Sequence, residues 1–292
     1  MNHIAILLTV FNRKEKTIKC LRNITAQSLP ADTKFDIYIV DGGSTDGTVE
    51  SVKTQFPHVN IKTVDGVFWN RGMIEAWKMA EEKKRNGCNY DYYLWLNDDT
   101  FIYKDCIASL LRVSLLKKNR TIVLGSTVDT QTRSKLTYGG RDKTGKVARP
   151  SSDDSPVPVI MMNGNIVLVP HSVYKKLGTL DPYYTHARGD FDYGLLARKA
   201  GIELWQVGNP LGECDAHEHI DAWCDPEIPL KKRWKLMYRP NGMPPMEIFH
   251  LENRHYGFCI ALKHYFTIHL RCIWPNLWIK AGKANINKLH LI

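Results

Sequence analysis

Apolar runs alternate with amphipathic segments along the first hundred residues. Four runs have the length and continuity of buried strands, and they lie at 4–10, 35–40, 60–64 and 92–96. Three segments between them carry apolar residues at helical spacing, at 14–27, 48–55 and 71–84. Strands that alternate with helices predict a parallel sheet with right-handed crossovers. Ligands of such sheets bind beyond the carboxyl ends of the strands, so the polar residues there are the candidates for function.

The pattern changes after residue 100. Helical spacing predicts helices at 105–117, 171–177 and 191–200, and apolar runs predict strands at 122–128, 135–138, 157–169 and 202–207. The polar segment 139–156 contains Gly and Pro and predicts a mobile loop. From about residue 226 the chain becomes basic and aromatic. We therefore expect an α/β fold divided at 1–100, 101–225 and 226–292.

The charge of the chain is concentrated near its C-terminus. The net charge is +10, and residues 231–292 contain eleven Lys or Arg but only two acids, Glu247 and Glu252. Such asymmetry indicates an anionic partner: membrane lipid, a nucleic acid or a phosphorylated substrate. The segments 231–239 and 263–274 mix these cations with Trp and Tyr, which suits the headgroup layer of an anionic membrane. A helical cap packed on the catalytic domain is an equal alternative, and nucleic acid is disfavoured because no binding motif accompanies the charge.

The cysteine content and the N-terminal sequence suit a cytoplasmic protein. The seven cysteines are odd in number and form no CxxC pair, so neither a disulfide framework nor a zinc site is expected. The apolar run 4–10 lacks the basic flank and cleavage site of a signal peptide and fits a first strand. No apolar stretch reaches the roughly 18 residues of a spanning helix.

Three polar clusters follow predicted strands or open predicted helices. In 41–47 (DGGSTDG) the glycines permit close backbone approach and the acids can accept hydrogen bonds, although a plain turn explains the segment equally well. In 97–100 (NDDT) two acids close a hydrophobic strand, which favours a hard cation such as Mg²⁺ or Mn²⁺ over a simple helix cap. In 188–192 (RGDFD) a carboxylate at a helix N-terminus is either a cap or a general base.

The order of these clusters resembles family 2 of the inverting glycosyltransferases, which have the GT-A type of fold. The resemblance covers about residues 3 to 220 and rests on four segments: 9–13 (TVFNR), 41–48 (DGGSTDGT), 70–72 (NRG) and 97–99 (NDD). It implies a mostly parallel central sheet flanked by helices, here with a helical basic C-terminal extension. Residues 1–100 would be the nucleotide-sugar-binding half, 101–225 the acceptor-binding and catalytic half, and 226–292 the extension.

The resemblance also implies roles for individual residues. Asp99 matches the metal ligand of the family's Asp-x-Asp motif, Asn97 replaces its first acid, and Asp98 fills the variable position. The family's Glu-Asp motif matches Gly189-Asp190, so Asp190 is the candidate base and Asp192 its competitor. His217 is preferred to His219 as a further metal ligand. The residues that would bind the nucleotide sugar are Thr9, Phe11, Asn12, Arg13, Asp41, Gly43, Asn70, Arg71, Gly72, Asn97 and Asp98.

The activity implied is metal-dependent transfer of a sugar, with inversion, from a nucleotide sugar to a glycan or lipid-linked acceptor in surface-polysaccharide synthesis. UDP-hexose is the default donor and a dTDP-deoxysugar the alternative; Mn²⁺ or Mg²⁺ is the expected cofactor. The expected location is the cytoplasm, peripheral on the inner face of the membrane. A sugar nucleotidyltransferase is disfavoured because 9–13 lacks glycines. A non-catalytic glycan- or lipid-binding protein on the same fold remains the other alternative.

Overall fold

The fold is a three-layer α/β arrangement around one large sheet. A computed structural model describes residues 2–280 except 86, 88, 152 and 217–220. Within these residues the strands are β1 Asn2–Val10, β2 Thr33–Asp41, β3 Asn60–Thr63, β4 Tyr92–Leu96, β5 Phe101–Ile102, β6 Ile122–Leu124, β7 Thr127–Val128, β8 Gly140–Arg141, β9 Val157–Val159, β10 Met161–Met162, β11 Ile166–Pro170, β12 Leu204–Gln206 and β13 Gly212–Glu213. The helices are α1 Lys14–Thr25, α2 Thr48–Gln55, α3 Trp69–Arg85, α4 Cys106–Leu116, α5 His171–Leu177, α6 Gly189–Lys199, α7 Leu230–Met237, α8 Pro245–Tyr256, α9 Phe258–Ile273 and α10 Pro275–Lys280.

The central sheet has the strand order β3-β2-β1-β4-β11-β6-β12-β9. Its first four strands are parallel, as the alternation of strands and helices predicts, and β11 then runs antiparallel between β4 and β6. The carboxyl ends of β1, β2 and β4 therefore share one edge. The predicted fold class, a mostly parallel sheet flanked by helices, is confirmed.

Strand β1 is buried on both faces, which explains its continuous apolar sequence. Ile4, Ile6 and Leu8 pack in the layer that contains α1 and α4, whereas Ala5 and Leu7 face the layer of α3, α5 and α6. Alternation with a period of two sends neighbouring side chains to opposite layers.

The predicted strand 157–169 is wrong as a single element, because β9, β10 and β11 divide it. Pro158 lies in β9, at the sheet edge, where a missing N–H is tolerated. The chain turns again at residues 163–165, where Gly164 packs so closely on the Trp69 ring that an added Cβ would lie 2.6 Å from it. This break shapes the candidate site described below.

Two further predictions in this region need correction. The predicted strand 135–138 is reduced to one bridge between Leu136 and Val128, with backbone hydrogen bonds on either side. The predicted loop 139–156 contributes β8 to a two-stranded sheet with β10, and Ala148 is buried in the core. The alternating and loop-like patterns there were too short to predict these pairings.

The C-terminal extension is helical, as predicted. Helices α7, α8 and α9 enclose a small apolar cluster of their own, and Leu251 of α8 packs with Tyr184 and with Leu195 of α6. The extension is thus joined to the helix that begins at the third polar cluster. Among the residues described, none of the helices has the length and hydropathy of a membrane span.

Candidate active site

The first polar cluster is a tightly bonded loop at the end of β2. Asp41 is fully buried, and its carboxylate accepts backbone N–H bonds from Gly43 and Ser44 at 3.0–3.2 Å. Gly43 has φ +96°, a left-handed conformation that favours glycine. The Asn12 side chain accepts from the Thr45 N–H at 2.8 Å, which joins the β1–α1 loop to this one. Asp41 therefore orders the loop after β2, and Asn12 ties the loop after β1 to it.

The second cluster carries two acids that share one cation. Asp98 and Asp99 follow β4, and Nη1 of Arg13 donates to Asp98 at 3.1 Å and to Asp99 at 2.8 Å. Asp98 is 4% exposed, while the Arg13 side chain is 43% exposed. Thr17 of α1 also donates to Asp98, at 3.4 Å. The structure thus brings the predicted Arg13, Asp98 and Asp99 together.

The positive charge of Arg13 does not fully compensate this pair of acids. Burial raises the pKa of Asp98 to about 6, with a further rise from Asp99 and opposition from Arg13. A carboxyl whose ionised form remains this costly would be stabilised by more positive charge beside it. The two acids accordingly form a site suited to a cation.

Trp69 connects the cluster to its surroundings, and sequence reasoning missed it. Its indole N–H donates to the Asn97 side chain at 2.8 Å, so the amide that replaces the family's first acid is held by a neutral donor. Its ring packs on Gly164, its carbonyl accepts from Thr9, and its backbone N–H donates to His186. The only sequence signal was its place directly before the Asn-Arg-Gly segment.

The Asn-Arg-Gly segment opens α3. Gly72 packs on Thr9 so closely that an added Cβ would lie 2.4 Å from the Thr9 methyl, and Arg71 is exposed. Phe11 is 54% exposed beside Gly42. Thr9 and Gly72 are therefore packing residues here, while Phe11 and Arg71 are open to a ligand.

Asp190 lies in the first turn of α6. Its carboxylate accepts from the backbone N–H of Gly164 and of Phe191, each at 2.9 Å. Burial raises the pKa of Asp190, while these two N–H bonds and the nearby charges of Arg188 and Arg141 oppose the rise. Asp190 is therefore a carboxylate held in place by the backbone with a pKa shifted upward, as a general base requires.

Two backbone hydrogen bonds link this carboxylate to the second cluster. Asn97 donates its N–H to the Asn165 carbonyl at 3.3 Å, and the neighbouring Gly164 donates to Asp190. The break in the predicted strand 157–169 makes this connection possible, because it turns the Gly164 N–H toward α6. Residues 164 and 165 thus connect Asp190 to the segment that carries Asp98 and Asp99.

Gly189 stands where the resemblance implies a glutamate, and the structure shows no space for a larger residue there. An added Cβ at Gly189 would lie 1.7 Å from Oδ1 of Asn70. Asn70 is fully buried and donates to the carbonyls of Asp181 at 2.9 Å and Tyr184 at 2.8 Å. The asparagine amide occupies the space that a larger residue at 189 would need.

The structure distinguishes the two acids that the sequence left as competing bases. Asp192 is 1% exposed, and its carboxylate is bonded to Arg254 at 2.8 Å and to His255 at 2.7 Å, both on α8. Asp190 is only partly buried. Asp192 is therefore engaged between two helices, and Asp190 is the better candidate for contact with substrate.

The acid pair meets the chemical requirement of a hard divalent cation. Asp98 and Asp99 supply carboxylate oxygens, the ligands preferred by Mg²⁺ and accepted by Mn²⁺. Among the described residues, no group of three or more His, Cys, Asp or Glu could hold a metal ion, so the acid pair alone offers an incomplete set of ligands. The predicted ligand His217 and its rival His219 lie outside the described residues.

Comparison with known proteins agrees with this architecture. The family model described as glycosyl transferase family 2 matches residues 5–163, more than half of the chain. Comparison with curated proteins found no match. Residues 1–349 of TarS from S. aureus, solved with UDP-GlcNAc, are similar with a TM-score of 0.55 and 12% identity, covering 89% of this chain and 72% of that one.

A second solved structure shares the fold. Mannosyltransferase PcManGT from Pyrobaculum calidifontis, solved with GDP-Man and Mn²⁺, has a TM-score of 0.51 and 17% identity over 91% of this chain and 73% of that one. The family match extends over β1 to β10 and so includes the acid pair. The chain belongs to glycosyl transferase family 2 and is an enzyme that transfers a sugar from a nucleotide-sugar donor.

Proposed function

We propose that the chain transfers a hexose, with inversion and with a divalent metal, from a UDP-sugar to a hydroxyl group of a glycan or lipid-linked acceptor. The observation that carries the proposal is an acid pair that already holds one cation, Arg13, and that is linked through residues 164 and 165 to a separate carboxylate of raised pKa, Asp190. One displacement at the anomeric carbon needs both: a group that receives the acceptor's proton and charge that meets the departing diphosphate.

Asp190 accepts the proton of the acceptor hydroxyl in this mechanism. The two backbone N–H groups that donate to Asp190 hold its carboxylate in place. The acceptor's hydroxyl oxygen attacks the anomeric carbon from the side opposite the nucleotide, and this direction of attack inverts the configuration there. Asp98 and Asp99 would hold the metal, Asp99 as the principal ligand, and a bound Mn²⁺ or Mg²⁺ would stabilise the diphosphate leaving group. His217 is the proposed further ligand. Arg13 contributes a second positive charge at the same edge.

The donor side is formed by the loops after β1 and β2 and by the start of α3. Arg71 and Phe11 are exposed there and contact the donor. The binding surface is shaped by the remaining residues of these segments: Thr9, Asn12, Asp41, Gly43, Asn70 and Gly72. UDP is the proposed nucleotide; the structurally similar TarS was solved with UDP-GlcNAc, and PcManGT was solved with GDP-Man and Mn²⁺. A dTDP-deoxysugar is the alternative donor.

The test of the base is Asp190→Asn. This variant removes the proton acceptor but keeps oxygen and size, so transfer should fall by a factor of at least about 10³ while nucleotide binding by calorimetry is retained. Asp153→Asn, an exposed aspartate outside the site, is the matched control. Turnover by Asp190→Asn at the wild-type rate would refute the assignment.

The test of the metal site is Asp99→Ala, with binding of UDP measured in the presence and absence of Mn²⁺. We expect Mn²⁺ to raise the affinity of the wild type for UDP and to leave the affinity of Asp99→Ala nearly unchanged. Metal-enhanced binding that survives in Asp99→Ala would reject this ligand. Slow hydrolysis of a UDP-sugar by the wild type would in addition exclude a non-catalytic binding protein.

We further propose that the acceptor belongs to surface-polysaccharide synthesis and that the enzyme acts in the cytoplasm, at the inner face of the membrane. Support comes from the basic and aromatic extension, which carries most of the net charge.

A further inference from the structure

Helix α9 exposes an apolar face. Four large side chains, Phe258, Leu262, Phe266 and Leu270, recur at intervals of four residues and are 38–59% exposed. Trp274 and Leu277, at 55% and 60%, continue the series into α10. We refer to these six residues as the α9 face. Side chains four apart lie on neighbouring turns of a helix, so the series forms one continuous surface.

Within the described residues, this face lies outside the buried apolar clusters of the chain. The opposite side of α9 places Ala261, Ile268 and Cys272 in buried positions, and Ile268 and Cys272 belong to the apolar cluster shared with α7 and α8. An amphipathic helix normally turns its apolar side inward and its polar side to solvent. Helix α9 is apolar on both, and contiguous exposed apolar surface of this kind marks an interaction site.

Positive charge borders the α9 face. Helix α7 lies against α9, where the Trp234 and Tyr238 rings contact His269 with centroid distances of 5.3 and 6.1 Å. Trp234 and Tyr238 are themselves 39% and 47% exposed. The exposed cations around them are Lys231, Lys232, Lys235 and Arg239, and Lys263 lies on α9. The apolar surface is thus continuous with exposed aromatic and basic side chains.

The acids of the same segment are turned away from solvent. Between residues 230 and 280 the sequence contains two, Glu247 and Glu252. Glu252 is 4% exposed and bonded to His264, and Glu247 is partly buried and accepts from the Thr185 backbone N–H. The exposed charge of α7 and α9 is therefore positive, which selects for an anionic occupant.

We propose that the α9 face and the cations of α7 dock on an anionic lipid bilayer. The apolar side chains enter the boundary between headgroups and acyl chains, the Trp and Tyr rings lie at headgroup level, and the lysines meet lipid phosphates. Pairing of two copies through this face is disfavoured, since it would bring two sets of exposed cations together while both acids of residues 230–280 are turned inward. Lipid phosphates are thus the binding partner of the extension's positive charge. Docking itself does not depend on the proposed transferase activity; only its biological role does.

The test is sedimentation of the full chain with two kinds of vesicle. One kind contains phosphatidylcholine alone, and the other contains phosphatidylcholine with about 30 mol% of the anionic lipid phosphatidylglycerol. The wild type should bind the anionic vesicles at least about tenfold more strongly, and Phe266→Glu should reduce that binding by a similar factor. Leu116→Glu is the matched control, because Leu116 is 66% exposed on α4 and lies outside the α9 face. Lys231→Glu with Lys235→Glu should weaken binding to anionic vesicles only.

Each outcome separates the alternatives. Equal binding of the wild type to both vesicles, or equal losses in Phe266→Glu and Leu116→Glu, would overturn the proposal. A dimer in sedimentation velocity that dissociates in Phe266→Glu would instead assign the face to a second copy. Hydrolysis of a UDP-sugar in solution is unaffected by Phe266→Glu if only docking is lost, whereas failure of the transferase proposal would abolish hydrolysis and leave vesicle binding intact.

Discussion

The smallest feature with a large consequence is the contact between Gly189 and Asn70. The asparagine amide fills the space beside the glycine and donates to two carbonyls of the segment before α6. It thereby fixes the start of the helix that carries Asp190. A glutamate at 189 would require a smaller residue at 70.

Gly189→Ala tests this contact. The new methyl group would lie 1.7 Å from the Asn70 oxygen, so we expect a loss of about 2–3 kcal/mol in the free energy of unfolding, as for overpacked cores. The measurement is urea unfolding. Gly194→Ala in the same helix is the control, because its Cβ would meet only flexible atoms of Met162 and Leu204 at 3.2–3.3 Å and alanine favours helix. Equal losses in both variants would contradict the explanation.

Arg13 provides the positive charge at the acid pair. Arg13→Gln should lower the melting temperature of the protein without metal, because Asp98 and Asp99 lose their shared cation. Addition of Mn²⁺ should then raise the melting temperature more than in the wild type, since metal no longer competes with the guanidinium. A thermal-shift titration measures both effects, with Lys53→Gln on α2 as a control for loss of charge. Identical Mn²⁺ responses in the two variants would argue against competition.

The pH dependence of transfer follows from Asp190. Its pKa is raised by burial, and the ionised carboxylate is the active form of a base, so kcat/KM falls as pH decreases through that raised pKa. Arg141 and Arg188 oppose the rise. Arg141→Gln should therefore move the acid limb to higher pH, and Lys146→Gln, a cation of the same loop, should not. A limb that stays in place would show that Asp190 does not control it.

At the scale of elements, α6 and α8 are joined through a buried acid. Asp192 is bonded to Arg254 and His255, and Arg254 also pairs with Asp181 at 2.7 Å. The C-terminal extension thus holds the helix that begins with the candidate base. A change in α8 should consequently affect a site to which α8 contributes none of the residues assigned above.

Arg254→Ala is the corresponding prediction. Arg254 is itself exposed, but its removal leaves the buried Asp192 carboxylate with His255 as its remaining bonded partner, so the free energy of unfolding should fall by roughly 1–3 kcal/mol. Adding Asp192→Asn should recover part of the loss, because the charge that needed a partner is gone. Denaturant unfolding of both variants is the measurement. Asn253→Ala, an exposed change on the same helix, serves as the control. Additive losses in the double variant would rule out the pairing.

The elements also show where sequence reasoning succeeds. Strands β1 to β4 and the helices between them have clear periods, and their polar ends predicted the acid pair. The same reasoning wrongly predicted a single strand at 157–169. Pro158 and Gly164 interrupt this apolar run, and its three strands pair with strands that are distant in sequence. Trp69, Arg141 and the partners of Asp192 were missed for a related reason: a side chain's contacts across the sheet leave no local pattern.

At the scale of the whole molecule, the α7 cations and the α9 face lie in the C-terminal extension, outside the candidate active site. Helix α8 connects the two regions, because it packs with α7 and α9 and bonds to Asp192 of α6. If the α9 face docks on a bilayer, the effect of docking on catalysis should depend on whether the acceptor is embedded in the bilayer or free in solution. For an acceptor embedded in anionic vesicles, local concentration at the surface adds to intrinsic affinity. For an acceptor free in solution it does not.

Ionic strength gives the last prediction. Raising NaCl from about 0.05 to 0.5 M shortens the Debye length from roughly 14 to 4 Å, so attraction between the α7 lysines and lipid phosphates should weaken. KM for a vesicle-bound acceptor should therefore rise several-fold while kcat changes little. A soluble acceptor provides the comparison, because its KM should be nearly independent of salt. In Lys231→Glu with Lys235→Glu the salt effect should largely disappear. If KM rises equally for both acceptors, salt acts on the active site itself, and the extension is a packed helical cap without a lipid partner.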